Sequence, residues 1–272
     1  MLQKVSQEDL DSLKYYMDEK RFKPILFHIK FSFETPQLGP YHNEGPTMSS
    51  HLSLMIKTAT SFILNSMCPN RSLGNFPGIY DLIKHEVVVP VGKDAGFLKP
   101  SILDYIFLHD ISKPYRLSLS LEGDSKHKKE ISIMDWQIIK KKGRPYEYKG
   151  KKILSISYFH YSKKENGQHG VAGKEYLLQK GVQCSSKVLK IIGMHDYIYS
   201  FAPDTGLKAY KAFIERHDLN EEEISFLIAV TYLDFMASLD ADGKPMLAPL
   251  VRFLELRELH NKEKLEIQGL QS

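Results

Sequence analysis

His51, the adjacent pair His109-Asp110 in LHDISKP, and Asp234 in TYLDFMASLD are residue types that bind divalent metals, and each lies in a segment that reads as helix. Between the pair and Asp234 fall two more histidines, His169 in GQHGVAG and His195 in IIGMHD. Imidazole nitrogen suits borderline divalent ions and carboxylate oxygen harder ones, so a mixed set fits Mn, Fe, Co, Ni, Zn or Mg. Neighbouring residues on a helix point about 100° apart. His109 and Asp110 therefore reach a common site only from a helix end or a crowded crossing. Asp110 has two oxygens and can bridge two ions, with His51 and Asp234 completing one and His169 and His195 supplying the other. Such a site predicts phosphate ester chemistry: a divalent ion makes water nucleophilic near neutral pH and polarises a phosphoryl oxygen.

The elements that position these residues are mostly helical. SQED at Ser6–Asp9 reads as a capping box opening a helix over 6–20, with Leu10, Leu13 and Met17 on one face. PILFHIKFSFETP alternates weakly and reads as extended or irregular, and with the first helix it forms a lead-in over 1–34. Ser49 or Ser50 is expected to cap a helix over 51–66 marked by Leu54, Met55, Thr58, Ala59 and Phe62. The Gly- and Pro-rich stretch 68–98 reads as loop around a short helix at 79–85. Pro100 opens the next helix, which carries Ile102, Leu103, Ile106 and Phe107 and stops at Lys113-Pro114. Helices are then expected at 170–180 with a Gly181 cap, at 185–199 behind Ser185, at 220–238 behind a capping box at Asn220–Glu223, and at the C-terminus over 246–272. One domain over 1–272 is expected for this length.

The net charge of +4 is uneven. Residues 126–152 hold ten Lys/Arg against three acids, a local +7 that leaves −3 for the rest. Tyr146–Tyr148 and Ile153–Tyr161 flank a Lys149-Gly150 turn, which reads as a basic β-hairpin within an insertion over 114–168. Lys140, Lys141, Lys142 and Arg144 are candidate phosphate contacts, with Trp136, Tyr146 and Tyr148 available for stacking. A solvated hairpin accounts for the same charges. The longest apolar runs, such as Phe226–Val230, are too short to span a bilayer. Cys68 and Cys184 sit in no close-spaced motif, which argues for reduced thiols in a cytoplasmic protein.

The order His…His-Asp…Asp, with LHDISKP supplying a His-Asp-x-x-Lys turn, resembles the HD-domain superfamily. TPQLGPYHNEGPTMSSH, GQHGVAGKEYL, GMHD and LDADGK are similar to segments of the HD domain of bacterial CCA-adding nucleotidyltransferases, and together they cover about 35–245 in separate blocks. Asn43 and Pro46 stand where that type has proline and aspartate, one extra residue precedes His51, and no nucleotidyltransferase head is present. The resemblance implies an HD-type helical bundle with a small insertion. Its implied metal ligands are His51, His109, Asp110, His169, His195 and Asp234. It also implies hydrolysis of a phosphate monoester or diester, in a nucleotide or a nucleic-acid end. Lys113 would meet the phosphate and Asp110 would orient the water. A lysine compensating the C-terminal end of its own helix is the plainer reading of Lys113. Glu44 in HNEG is a candidate acid near the ligands or the substrate. Asp240 and Asp242, in DADGK, read as a helix-ending turn, and the other histidines as solvated or structural. Two other functions use the same residues: an HD-type di-iron oxygenase, and a nucleic-acid-binding module with a structural metal.

Overall fold

The computed structural model describes residues 7–35, 43, 45, 47–64, 73, 76–91, 95–113, 117–131, 135, 138–139, 145–158 and 169–269. The helices are α1 (Gln7–Tyr16), α2 (Leu26–Ser32), α3 (Met48–Ser61), α4 (Ile79–Val87), α5 (Pro100–Leu108), α6 (His169–Gln179), α7 (Ser186–Ile192), α8 (Leu207–Arg216), α9 (Glu221–Ala237) and α10 (Ala248–Gly269). A 3₁₀ turn, His195–Ser200, follows α7. The fold is mostly α with a small β insertion. Among the described residues no helix is long and apolar enough to cross a membrane.

The centre of the core is α9. From Phe226 to Ala237 every side chain is buried, so this helix is enclosed on all sides by α3, α4, α5, α7, α10 and the 3₁₀ turn. Asn220 starts it as expected: its side chain accepts from Glu223 N at 2.9 Å, and the Glu223 carboxylate accepts from Asn220 N at 3.1 Å. Asp234 is thus a carboxylate on the most enclosed element of the molecule.

Several elements differ from the sequence reading for identifiable reasons. The stretch expected to be extended or irregular is a 3₁₀ turn at Lys23–Ile25 followed by α2. Ile25, Ile29 and Phe33, four apart, enter the main core, while Phe31 enters a second cluster beneath the β insertion. A helix buried on two faces imitates the alternation of a strand. Ser49 and Ser50 lie inside α3 rather than capping it. The cap position is Thr47, whose hydroxyl pairs with that of Ser49 at 2.8 Å. The Gly-rich stretch before α5 holds an antiparallel hairpin, β1 (Val88–Val91) with β2 (Ala95–Leu98). Gly96 is demanded there by close approach, because a Cβ would lie 2.6 Å from Val88 Cγ1 and 2.9 Å from Val89 O.

The insertion is larger than the single hairpin expected. Strands β3 (Leu117–Leu121), β4 (Asp124–Ile131), β5 (Glu147–Tyr148) and β6 (Lys151–Tyr158) form one antiparallel sheet in the order β4-β3-β6-β5. The Lys149-Gly150 turn does join β5 to β6, with both residues at positive φ (49° and 77°). The LSLSL alternation of β3 was the missed strand signal. Leu119 and Leu121 join Ile131, Ile139, Tyr148 and Phe31 in the small second cluster.

A part-buried ion pair ties the N-terminal segment to α5. Arg21 bonds the carboxylate of Asp104, and Cys184 Sγ lies 3.9 Å from the same oxygen. Burial, working against the Arg21 guanidinium, pushes the Asp104 carboxyl up to about 6, and burial likewise raises the Cys184 thiol to about 12. A carboxyl raised on folding stabilises the fold fully below about pH 4 and loses that contribution as pH rises through its folded value. Asp104→Asn is therefore expected to gain stability relative to wild type, by on the order of 2 kcal/mol, as pH goes from about 4 to 7. Urea unfolding at the two pH values checks it, and an unchanged difference would contradict it.

Candidate metal centre

The six residues converge because helices end at one place. Helix α5 stops at Leu108, His109 is its cap residue, and the chain then turns through Ser112. His109 and Asp110 therefore diverge from a helix end instead of projecting from one cylinder. His51 lies in the first turn of α3, His169 is the first residue of α6, and His195 opens the 3₁₀ turn. The helix expected over 185–199 breaks after Ile192, although Ser185 caps it as expected, accepting from Val188 N at 3.3 Å. That break turns His195 toward the others.

Helix ends leave carbonyls without intrahelical partners, and two of these orient the imidazoles. His51 Nδ1 donates to Ala237 O at 3.1 Å and His195 Nδ1 to Ile192 O at 2.8 Å, each carbonyl belonging to the last residue of its helix. His109 Nδ1 is shared between Tyr105 O at 3.1 Å and Ile106 O at 3.2 Å, and its ring stacks on Tyr105 at 4.9 Å. With Nδ1 committed to backbone, Nε2 is the atom each ring presents to the centre.

Two groups of three result: His51, His109 and Asp234, and Asp110, His169 and His195, with the ligating atoms of each within 4.8 Å of one another. In the first, His51 Nε2 lies 3.1 Å from Asp234 Oδ1. In the second, Asp110 Oδ1 lies 2.8 Å from His169 Nε2 and 3.8 Å from His195 Nε2. Two atoms bound to one ion at about 2.1 Å stand roughly 3.0–3.4 Å apart in octahedral or tetrahedral arrangements, the spacing these contacts approach. His169 Nε2 and His195 Nε2 face each other at 3.0 Å, which requires either a proton or a cation between two nitrogen lone pairs. His109 Nε2 is buried with Asp110 Oδ2 at 3.3 Å, and the Tyr105 hydroxyl is buried with no hydrogen-bond partner among the described residues. Buried polar atoms left this way are uncommon unless a ligand completes them. The donor set fits a divalent metal ion.

The electrostatics are those of a tightly coupled centre. Burial opposes the charged form of Asp110, but His109 and Lys113 outweigh it and hold the carboxyl well below its usual range. Asp234 is likewise lowered against burial, chiefly by its bond with His51 and the charge of His109. Burial lowers His169, whereas at His195 the nearby Asp196 and Asp110 overcome it and raise the ring to about 9. Lys113 Nζ sits 2.5 Å from Asp110 Oδ2, and that carboxylate, against burial, raises the ammonium. Its charge is thus directed at the Asp110 carboxylate.

Two residues here were missed from sequence. Asp196 Oδ2 accepts from His169 Nδ1 at 3.0 Å and from Gly170 N at 3.2 Å. The Tyr199 hydroxyl donates to Asp234 Oδ2 at 3.3 Å. The signal for Asp196 was present, since His195-Asp196 is a second His-Asp pair. Gly170 also has a packing reason: a Cβ there would lie 2.4 Å from Ile192 O and 2.9 Å from His195 Nδ1. The glycines beside His169 let α6 approach the end of α7. Because a carboxylate on the far nitrogen fixes a ligand imidazole, Asp196→Asn is expected to weaken divalent-ion affinity by about 10- to 100-fold. Titration with Mn²⁺ followed by its EPR signal measures this, and wild-type affinity would contradict it.

Asp240 does not enter the centre: its Oδ1 accepts from Asp242 N and Lys244 N, both at 2.9 Å, in the expected turn. Lys140, Lys141, Lys142, Arg144, Trp136, Glu44, His42 and Cys68 lie outside the described residues. On the described strands and their turns the exposed charge is mixed, Lys128, Lys129, Lys149, Lys151 and Lys152 standing among Glu122, Glu130 and Glu147. No protein-family model, no curated protein and no solved structure matches this chain, so its own side chains carry the functional reading.

Proposed function

We propose that the chain is a metal-dependent phosphohydrolase of the HD type, acting on a phosphate monoester or diester of a nucleotide or nucleic-acid end. The observation that carries the reading is the position of the Asp110 carboxylate. One oxygen belongs to the group with His169 and His195, and the other lies 3.3 Å from His109 Nε2 in the neighbouring group. A single carboxylate standing between two donor sets would serve either set, so the six residues would suit one or two divalent ions. His51, His109 and Asp234 would hold one, and His169 and His195 a second. Such ions, when bound, supply a nucleophilic water at neutral pH and draw charge from a phosphoryl oxygen.

The chain's own residues do the rest. Asp110 holds the two donor sets in register and accepts a hydrogen bond from the attacking water. Lys113, fixed against Asp110, places a buried ammonium where phosphate oxygens gain charge, and in so dry a setting it acts strongly. Asp196 and the helix-end carbonyls keep the imidazoles from turning away. The resemblance of LHDISKP to the His-Asp-x-x-Lys turn supports the same chemistry.

The test is hydrolysis of an ester panel (aryl phosphates, nucleoside mono- and cyclic phosphates, short RNA) by protein supplied with Mn, Ni, Co, Zn or Mg. Metal-dependent phosphate release is expected. Bound iron with oxygen consumption and no hydrolysis would replace this reading with a di-iron oxygenase. RNA binding that survives loss of His109 and Asp110, again without hydrolysis, would replace it with a binding module.

A further inference from the structure

Among the described residues of the centre, exposure is concentrated at His169 and Asp196. His51 and His109 have side chains 1% exposed, whereas the side chain of His169 is 26% and that of Asp196 15% exposed. The 3₁₀ turn that carries His195 and Asp196 also carries Tyr199. This residue is 38% exposed although its hydroxyl reaches Asp234. Tyr199 therefore reaches from Asp234 to solvent. Its ring packs against Phe235 at 4.5 Å with a 53° tilt, and the residue stays 38% exposed beside that contact. The phenol is tied at its tip by Asp234 and at its side by Phe235, so little freedom remains to be lost when something packs on it.

We propose that Tyr199 is the specificity-determining residue of this site: its hydroxyl positions Asp234, and its exposed ring is the wall on which the ester's leaving group packs, selecting leaving groups that carry a flat aromatic ring. The substrate part rests on the phosphohydrolase reading; the positioning part rests on the Tyr199–Asp234 bond alone. A phosphate at the centre leaves its ester oxygen directed toward the more exposed residues, because His51, His109 and Asp234 are buried. A nucleoside there meets a fixed aromatic surface, and a bare sugar does not. Stacking of a base on an aromatic side chain contributes about 1–3 kcal/mol, or roughly 5- to 150-fold in affinity.

The experiment compares a nucleoside 5′-monophosphate with ribose 5-phosphate, whose reacting C5′–O–P group is the same, using Mn²⁺-supplied wild type, Tyr199→Phe and Tyr199→Leu. Wild type is expected to show a KM about tenfold lower for the nucleotide. Tyr199→Leu should lose that preference. Tyr199→Phe should keep it while kcat falls and Mn²⁺ affinity, read independently by EPR titration, weakens by about tenfold. Retention of the preference in Tyr199→Leu, with its circular dichroism unchanged, would overturn the specificity role. Unaltered Mn²⁺ affinity in Tyr199→Phe would overturn the positioning role. If wild type binds Mn²⁺ but hydrolyses neither these esters nor an aryl phosphate, the phosphohydrolase reading falls, and the leaving-group role falls with it. The Mn²⁺ titration then still decides the Asp234 contact.

Discussion

Asp110→Ala is expected to lose divalent-ion affinity by at least about 100-fold and to leave no measurable phosphate release, while the helical circular dichroism stays close to wild type. The size of the effect follows from position. Asp110 touches His109, Lys113 and His169, and it joins the two donor sets, so its removal takes a ligand from one and the link from both. The fold is expected to survive because the main core closes around α9, whose side chains from Phe226 to Ala237 are enclosed without help from Asp110. Asp110→Asn, which keeps the shape and removes the charge, should give the same loss. Turnover at the wild-type rate in either variant would remove the site assignment.

Lys113→Met is expected to reduce kcat by about 100- to 1,000-fold with metal content retained, the range seen when one fixed charge donor is removed from a reacting centre. Methionine keeps an unbranched apolar stem of four atoms and lacks the ammonium, so the loss reports charge. Lys113 is buried, and its ammonium stands 2.5 Å from Asp110 Oδ2, so it is held in place before any substrate arrives. A lysine that only balanced the end of α5 would change stability and leave kcat alone. Steady-state kinetics beside metal analysis separate the two roles, and unchanged kcat with full metal content would contradict the catalytic one.

The donor residues were legible as a set because side-chain type and a close-spaced motif survive in one dimension: His109-Asp110 followed by Lys113 marks itself. The capping box at Asn220, the Ser185 cap and the Gly181 turn, at φ 62°, were legible for the same local reason. What stayed hidden depends on tertiary partners. Gly193, directly after Ile192, is a helix-ending signal that the reading of 185–199 as one helix passed over, and the break is further coupled to the Nδ1–H of His195 and to the approach of α6 at Gly170. Asp196 and Tyr199 gain their meaning only once His169 and Asp234, distant in the chain, are brought beside them. The helix α2 was obscured because its two buried faces serve two different clusters.

Anomalous diffraction at the manganese edge, from crystals grown with Mn²⁺, shows whether the six side chains hold metal. Density is expected for an ion among His51, His109 and Asp234 and for a second among Asp110, His169 and His195, with Asp110 contacting both. Well-ordered side chains at all six positions with no anomalous peak between them, at saturating Mn²⁺, would contradict the metal-site assignment.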